Sequence, residues 1–209
     1  MGVSYSENVL REIKSLKSYI HILEISSYQA ENLYNFSPEI SCITNISEDH
    51  MDRYSDIDSY INAKLNISKN LSKKTKLIYN KDDEYLACKI NSSYNIIAFS
   101  IFNDNIIKYN NNGTLNFKNE NHKFKNPLLG IHNYYNILAA TTVANAYKID
   151  LINVIKSISK FNPLPHRIDI ICSYRGVQYV NDSKSTTIAS TIAAIRCFKN
   201  IILIIGGEL

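Results

Sequence analysis

Several acids and a histidine follow an apolar run in the stretch ITNISEDHMDRY, residues 43–54. Glu48, Asp49, His50 and Asp52 stand where an ordinary strand end needs only a turn. Carboxylates and an imidazole can together bind Mg²⁺, which in turn binds phosphate oxygens. The stretch therefore predicts a site for a hard cation and a phosphate. The alternative that these residues leave open is a salt-bridged loop in which His50 hydrogen bonds to a backbone carbonyl.

A second carboxylate, Glu24, ends the apolar run YIHILEI, residues 19–25, immediately before SSYQ. In open α/β sheets, ligands bind at the carboxyl ends of the strands. If both apolar runs form neighbouring strands, Glu24 and His50 face the same site. The alternative is that Glu24 lies at the sheet edge with its carboxylate in water.

Lys64 lies on a predicted helix, residues 56–71, for which Ser55 and Asp58 form a candidate capping pair. The apolar positions of this helix trace one face, and Lys64, seven residues after Ile57, falls on that face. A lysine that points inward is costly unless it is paired, neutralised or chemically altered. Lys64 is therefore either a functional lysine at the same sheet end as His50, or a residue at the edge of the apolar face whose ammonium extends to solvent.

The third polar cluster is NDSKSTT, residues 181–187, between a predicted strand and a predicted helix. Asp182 can bind a metal or accept hydrogen bonds from hydroxyls, and Lys184 can neutralise a phosphate or carboxylate. The first backbone N–H groups of the helix can bind an anion. The alternative is an ordinary capping loop with Asp182, Ser183 or Ser185 as the cap.

These residues need a fold that brings strand ends together. Short apolar runs alternate with helical patterns along the chain, which predicts an α/β fold with a mostly parallel sheet and flanking helices. The expected strands are residues 19–25, 39–46, 75–80 and 95–100. They are followed by a hairpin or long loop at 103–125 and by helices at 133–147 and from the cap Asp150 to residue 160.

A domain boundary is expected at FNPLPHR, residues 161–167, because its two prolines stop the preceding helix. Beyond it the chain continues with a strand at 176–180, the NDSKSTT loop, a helix to Phe198 and a strand at 201–205. So short a unit cannot bury an adequate core. We therefore expect one domain at 1–162 and the incomplete start of a second, Rossmann-like α/β domain at 163–209. Arg167, just past the joint, is either an interdomain salt-bridge residue or a phosphate ligand.

Length, composition and charge exclude several classes of protein. The chain has 209 residues, 45% of them hydrophobic, which fits a soluble globular protein. No apolar run is long enough for a membrane span and the start lacks a signal peptide, so we expect a cytoplasmic protein without a membrane role. The net charge of +4 includes a basic run, KNLSKKTK, without interleaved aromatics, which does not favour nucleic acid as a partner. The four cysteines are expected to be reduced thiols in the core.

Five motifs lie in order along almost the whole chain: ILEISSYQ (22–29), ITNISEDHMDRY with Y-x-x-A-K (60–64), GIHNYYN (130–136), LPHR (164–167) and YVNDSKST (179–186). Together they resemble the Mur ligase family of ATP-dependent amide ligases in peptidoglycan precursor synthesis. SSYQ and NDSKST are most similar to the members that add D-glutamate. The resemblance implies that residues 1–162 are part of a central ATPase domain and that 163–209 begin a C-terminal ligase domain.

The resemblance implies ATP and Mg²⁺ as cofactors. Glu24 would bind the Mg²⁺ that bridges the ATP phosphates, and His50 would bind a second Mg²⁺ near the acyl phosphate. Lys64 matches the lysine that the family carbamylates, which converts a cation into a carboxylate-like group that supports the metal. Such a modification would explain a lysine on an apolar helix face.

Residues that bind the nucleotide and the substrate follow from the same resemblance. Asn133 and Asn136 would contact the adenine. Arg167 and Asp182 would contact the phosphate and ribose. Ser26 would contact the UDP-muramoyl substrate. Lys184 and Thr186 would lie where substrate carboxylates and phosphate are held.

The implied reaction activates the carboxylate of UDP-N-acetylmuramoyl-L-alanine as an acyl phosphate, which the amine of D-glutamate attacks. The phosphate-binding loop that an ATP site needs is missing, since the chain has six glycines and no G-x-x-x-x-G-K-[ST] run. We expect that loop upstream of Met1 and the rest of the D-glutamate pocket beyond Leu209. The chain would then be an inner segment of a ligase, monomeric, inactive alone and in need of the missing segments in trans.

Two other functions stay open. One is a non-catalytic product of a truncated or split gene that acts at most as a nucleotide- or partner-binding module. The other is a metal-dependent phosphohydrolase that uses His50 and Asp52, although it leaves the GIHN and NDSK motifs without a role.

Overall fold

Helices and short strands alternate along the described chain. The structure is a computed structural model that describes residues 3–90, 95–102, 107–110, 114–117, 120–123 and 128–206. The helices are α1 (Tyr5–Ser15), α2 (Ser27–Ala30), α3 (Ile57–Leu65), α4 (Glu84–Lys89), α5 (Ile131–Ala146), α6 (Leu151–Ser159) and α7 (Ile188–Ile195). The strands are β1 (Ile40–Ile43), β2 (Lys76–Asn80), β3 (Ile96–Phe99), β4 (Ile107–Asn110), β5 (Thr114–Phe117), β6 (Glu120–Lys123), β7 (Asp169–Tyr174) and β8 (Val177–Asn181).

A three-stranded parallel sheet in the order β1–β2–β3 forms the centre of the fold. Leu77 of β2 pairs with Ser41 of β1 on one side and with Ile96 of β3 on the other. Because the strands are parallel, their carboxyl ends meet at one edge of the sheet. The strands predicted at 39–46, 75–80 and 95–100 are confirmed.

Apolar side chains cover both faces of this sheet. Leu77 packs with Ile61 of α3 and Leu86 of α4, whereas its neighbour Ile78 packs with Phe99 and with Leu138 of α5. Adjacent residues of a strand point to opposite faces, so the two clusters lie on opposite sides of the sheet. The predicted α/β class, a parallel sheet with flanking helices, is confirmed.

The strand predicted at 19–25 is wrong. Glu12 of α1 instead accepts hydrogen bonds from the N–H of Tyr19 (3.1 Å) and from Nε2 of His21 (2.6 Å). The Ile22 side chain is 88% exposed. A strand needs a neighbouring backbone edge for its hydrogen bonds and a covered face for its side chains, and an apolar composition specifies neither.

The chain after the proline-rich joint forms an antiparallel pair, β7 with β8. Arg175 and Gly176, both with positive φ, make the turn between the two strands. The strand predicted at 176–180 corresponds to β8, whereas its partner β7 is not among the predicted elements. The strand predicted at 201–205 is wrong, since this run has no strand pairing and Ile202 is 89% exposed. The domain boundary after residue 162 stays a prediction.

The Asn-rich region contains a hairpin, as predicted. β4 and β5 pair in antiparallel register, and β6 adds a third strand to this separate sheet. The Asn-Asn-Gly residues at 111–113 lie outside the described residues.

The helix caps match the predictions only in part. Asp150 caps α6 as expected, accepting a hydrogen bond of 2.8 Å from the N–H of Ile152. The cap of α3 is Asp56, whose Oδ1 accepts from the N–H of Ser59 at 2.7 Å, so the predicted pair Ser55 and Asp58 is wrong by one residue. That bond lowers the pKa of Asp56. Asp competes well with Ser for the cap position, which the sequence pattern alone did not resolve.

All four cysteines are unpaired, as expected, but their burial differs. Cys42 and Cys197 are half-buried, whereas Cys88 and Cys172 are exposed, so the expectation of core thiols is wrong for the latter two. Burial raises the pKa of Cys42 to about 11. None of the described helices combines the length and the apolar character needed to cross a bilayer.

Candidate functional site

His50 lies in a tight turn after β1. Its φ is +57°, and its carbonyl oxygen accepts hydrogen bonds from the N–H groups of Arg53 (3.0 Å) and Tyr54 (3.2 Å). The exposed imidazole touches the ring of Tyr28 edge-on, with centroids 4.9 Å apart, and its Nε2 is 3.7 Å from Asp49 Oδ2. The backbone of His50 therefore builds the turn, while the side chain has no short hydrogen bond among the described residues and can take a ligand.

A salt bridge fixes this turn to the chain after α2. Nη2 of Arg53 is 2.6 Å from Oε2 of Glu31, and the Tyr54 hydroxyl donates to Oε1 of Glu31 at 2.6 Å. The pKa of Glu31 is lowered, first by the Arg53 hydrogen bond and then by the Tyr54 hydrogen bond. Part of the salt-bridged loop alternative is thus correct, but the acid that pairs with Arg53 is Glu31, which the sequence analysis missed.

A row of tyrosine rings connects His50 to Lys64. Tyr54 lies between Tyr28 and Tyr60, with ring centroids 6.3 Å and 5.2 Å away. Tyr28 touches His50, and the ammonium of Lys64 lies 4.9 Å from the centre of the Tyr60 ring. Lys64 is half-buried and has no carboxylate within ion-pair distance among the described residues. The cation–π contact supports the alternative of an edge lysine, and carbamylation stays a prediction.

Glu24 and Ser26 lie just before α2. Ser26 caps this helix: its Oγ accepts from the N–H of Gln29 (3.3 Å), whose side-chain oxygen accepts from the N–H of Ser26 (2.9 Å). Glu24 is exposed, and no described residue hydrogen bonds to it. In the described part of the chain, no three acidic, histidine or cysteine side chains lie close enough to hold a metal ion. The metal role of Glu24, His50 and Lys64 stays a prediction.

Two acids that the sequence analysis missed, Asp82 and Asp83, follow β2 at the carboxyl edge of the sheet. Asp82 accepts hydrogen bonds from the Ser100 hydroxyl, from the Ile101 N–H (2.8 Å) and from the Tyr135 hydroxyl (3.2 Å). The run YNKDD carried the same signal as ITNISEDH, namely acids directly after a buried strand.

Asn133 and Asn136 lie together in the first two turns of α5. Nδ2 of Asn133 donates to the carbonyl of Leu129 (2.6 Å), and Nδ2 of Asn136 donates to Oδ1 of Asn133 (3.1 Å). Oδ1 of Asn136 has no partner among the described residues. The two amides are therefore held in a fixed relation to each other, with acceptor capacity left for a ligand.

The start of α5 packs against Cys197, which follows α7. Burial raises the pKa of Cys197, and the charge of Asp182 raises it further. Burial lowers the pKa of His132, and the charge of Asp182 opposes that shift. A methyl group added to Gly130 would be 2.6 Å from Cε1 of His132 and 2.7 Å from Sγ of Cys197. The structure therefore packs the GIHN motif against Cys197, and a site that the motif shares with the NDSK loop stays a prediction.

The NDSK loop is fixed by Asp182 itself, which accepts hydrogen bonds from the Ile168 N–H (2.8 Å) and from the Ser185 hydroxyl. The cap of α7 is Thr187, so the alternative caps at 182, 183 and 185 are wrong. Lys184, Thr186 and Arg167 are exposed. None of the ion pairs in the described part of the chain involves Arg167 or Lys184, and the proposed interdomain salt bridge of Arg167 is therefore not observed there.

Residues 6–144 match the model of the Mur ligase middle domain. The chain belongs to the Mur ligase family. It is 38% identical over 99% of its length to the UDP-N-acetylmuramoylalanine–D-glutamate ligase of Fusobacterium nucleatum, and covers 48% of that protein. It is 36% identical over 90% of its length to the ligase of the same name from Natranaerobius thermophilus, and covers 42% of that protein. The chain thus spans about half the length of the curated relatives it matches.

Solved Mur ligase structures share the fold of this chain. MurF from Acinetobacter baumannii has a TM-score of 0.66 at 17% identity, over 82% of this chain and 39% of that one. MurF from Thermotoga maritima, solved in complex with ADP, has a TM-score of 0.61 at 14% identity, over 77% of this chain and 39% of that one. At such identities the likeness concerns the fold alone.

Proposed function

We propose that this Mur ligase family chain is a segment of an ATP-dependent amide ligase that joins D-glutamate to UDP-N-acetylmuramoyl-L-alanine. The observation that carries the proposal is the hydrogen-bonded pair of Asn133 and Asn136 near the start of α5, in a GIHN motif that packs against Cys197. The names of the relatives support the substrates. The ADP complex of the Thermotoga maritima structure supports an adenine nucleotide as the ligand of this fold.

The asparagine pair would bind adenine. The free Oδ1 of Asn136 can accept from an exocyclic amino group, and the amide of Asn133 is held against the Leu129 carbonyl so that its plane is fixed. Asp182, also fixed by two hydrogen bonds, would accept from ribose hydroxyls. Arg167, exposed and without an ion pair among the described residues, would bind phosphate.

The residues expected to bind Mg²⁺ are suited to that role only in part. The His50 imidazole is free to take a ligand, and Glu24 is exposed on the segment before α2. A carbamylated Lys64 would supply further anionic oxygen, and the ATP phosphates would complete the ligand set. Bound Mg²⁺ would neutralise charge on the phosphate oxygens.

The reaction would proceed in two steps. The substrate carboxylate attacks the terminal phosphorus of ATP, which forms an acyl phosphate and releases ADP. The amine of D-glutamate then attacks the acyl carbon, and the tetrahedral intermediate releases phosphate and a proton as the amide forms. Lys184 and Thr186, both exposed beside Asp182 in sequence, would hold the carboxylate and phosphate groups, and Ser26 would contact the UDP-muramoyl part.

A chimera tests this function. The 209 residues replace the matching half of the Fusobacterium nucleatum ligase, and phosphate release is measured with ATP, UDP-N-acetylmuramoyl-L-alanine and D-glutamate. We expect turnover that requires D-glutamate and is lost in His50→Ala, and no turnover by the 209 residues alone. A folded chimera that is inactive with D-glutamate or prefers another amino acid would overturn the proposal.

The second candidate is a non-catalytic binding module. It is favoured by the exposed apolar surface of residues 201–205. This candidate predicts that the chain binds a nucleotide or a protein while the chimera stays inactive. The same assay therefore separates the two functions.

A further inference from the structure

Asp82 and Asp83 each connect the carboxyl end of β2 to a different part of the proposed site. Asp82 accepts a hydrogen bond from the Tyr135 hydroxyl at 3.2 Å, and Tyr135 lies between Asn133 and Asn136 in the sequence, within the first two turns of α5. Oδ2 of Asp83 accepts from the backbone N–H of Ile46 at 2.7 Å, and Ile46 begins the loop that carries His50.

We propose that the two acids are positioning residues with separate tasks: Asp82 holds the first two turns of α5 in place, and Asp83 holds the loop that carries His50. The inference rests on the proposed function, because it assigns these two segments to one nucleotide site. Neither acid needs to touch a ligand for this role.

Three features support the task of Asp82. It joins β2 to the end of β3, through the buried Ser100 hydroxyl and the Ile101 N–H, and joins both strands to α5 through Tyr135. Burial, and then the charge of Asp82, raises the pKa of Tyr135, so the phenol stays protonated and remains a donor. A carboxylate that accepts three hydrogen bonds is held in one orientation and transmits that orientation to its partners.

The task of Asp83 is separable from its role as a helix cap. Its Oδ1 accepts from the Leu86 N–H at 3.0 Å and caps α4, whereas its Oδ2 accepts from Ile46. Asn is about as good a cap as Asp. Asp83→Asn can therefore keep the cap and lose only the bond to Ile46.

The structure offers a matched pair of variants for Asp82. Tyr135→Phe removes a phenol–carboxylate bond near Asn133, and Tyr147→Phe removes a similar bond, to Glu39 at 2.8 Å, at the other end of α5. If these bonds only stabilise the fold, both changes should affect amide exchange in α5 to a similar degree. Positioning predicts that only Tyr135→Phe loosens the first two turns of α5.

Two measurements on the chain test the proposal. In amide hydrogen exchange without nucleotide, Tyr135→Phe should speed exchange in residues 131–136 and Tyr147→Phe should not. Asp83→Asn should speed exchange in residues 46–54 while leaving 131–136 unchanged. In ADP titrations followed by NMR, Tyr135→Phe should weaken binding by about tenfold, the effect of losing one hydrogen bond to a charged group, and Tyr147→Phe should have no effect.

The outcomes separate this inference from the proposed function. Unchanged exchange at 131–136 in Tyr135→Phe, equal acceleration in Tyr147→Phe, or loosening of both segments in Asp83→Asn would overturn the positioning roles. If the variants show the expected exchange pattern but the wild-type protein does not bind ADP, the positioning roles are supported and the nucleotide site is contradicted. Because Tyr135→Phe keeps the ring and leaves Asp82 unchanged, it tests the task of Asp82 by removing only one of the hydrogen bonds that this acid accepts.

Discussion

The ammonium of Lys64 lies 4.9 Å from the centre of the Tyr60 ring, one helical turn earlier on α3. This contact gives a half-buried lysine an interaction that needs no carboxylate. It also places Lys64 at one end of the tyrosine row whose other end touches His50. Lys64 and His50 are therefore connected by packed aromatic rings, although they are 14 positions apart in the sequence.

The charge of Lys64 should contribute little to stability. Lys64→Met keeps most of the apolar stem and removes the cation–π contact, so we expect a loss of about 1 kcal/mol or less in the free energy of unfolding. Urea unfolding measures this value. A loss of several kcal/mol would show that Lys64 has a stronger partner than the Tyr60 ring.

The proposed carbamate can be tested in the chimera with the Fusobacterium nucleatum ligase. Lys64→Ala should abolish phosphate release, and a short carboxylic acid in the buffer should restore part of it, because its carboxylate can occupy the space of the carbamate. Lys64→Met, which leaves no such space, serves as the control. Equal recovery, or none, in both variants would contradict the carbamate role.

The salt bridge between Glu31 and Arg53 should make stability depend on pH. The pKa of Glu31 is lowered in the folded protein, so its contribution is present above the ordinary glutamate pKa and is lost as the pH falls through the lowered value. Wild type should therefore melt above Glu31→Gln at pH 7, and the difference should vanish in acid. Glu7→Gln, which removes an exposed pair with Arg11, is the control and should change the melting temperature little at either pH.

The exposed run at 201–205 should affect association rather than folding. Ile202 and Ile204 are 89% and 92% exposed, so the double change Ile202→Ser and Ile204→Ser removes no buried contact. We expect an unchanged free energy of unfolding and less light scattering at high concentration. A clear loss of stability would mean that these side chains are covered in solution.

The sequence predicted those elements whose signal is local. The runs at 39–46, 75–80 and 95–100 are apolar on both faces, and they form the buried parallel strands. The run at 19–25 is also apolar, but none of the described strands pairs with it. Glu12 instead accepts a hydrogen bond from the backbone N–H of Tyr19. Pairing depends on residues distant in the chain, which a single apolar run does not reveal.

The residues of the candidate site also divide into those with a local sequence signal and those whose partners are distant in the chain. Asn133 and Asn136 meet because they are three residues apart on one helix, which periodicity predicts. Glu31 and Asp82 were missed because their partners, Arg53 and Tyr135, are 22 and 53 positions away. No spacing rule indicates such pairs, although the acids after β2 could have been found from their place at a strand end.

Gly130 should be the glycine least tolerant of substitution among those described. Its φ of +88° with ψ of 152° is a conformation almost restricted to glycine, and a Cβ would lie 2.6 Å from His132 and 2.7 Å from Cys197. Gly130→Ala therefore adds steric overlap to backbone strain, and we expect a loss of about 3 kcal/mol or more in the free energy of unfolding.

Gly176 provides the matched control, because it also has a positive φ, +79°, but a Cβ added there would have no atom within 4 Å. Gly176→Ala should cost only the backbone strain, about 1–2 kcal/mol. Urea unfolding of both variants measures the difference, which reports how tightly the start of α5 packs against Cys197. Equal losses would contradict that packing, and the contact between the GIHN motif and the end of α7 would then be looser than the structure indicates.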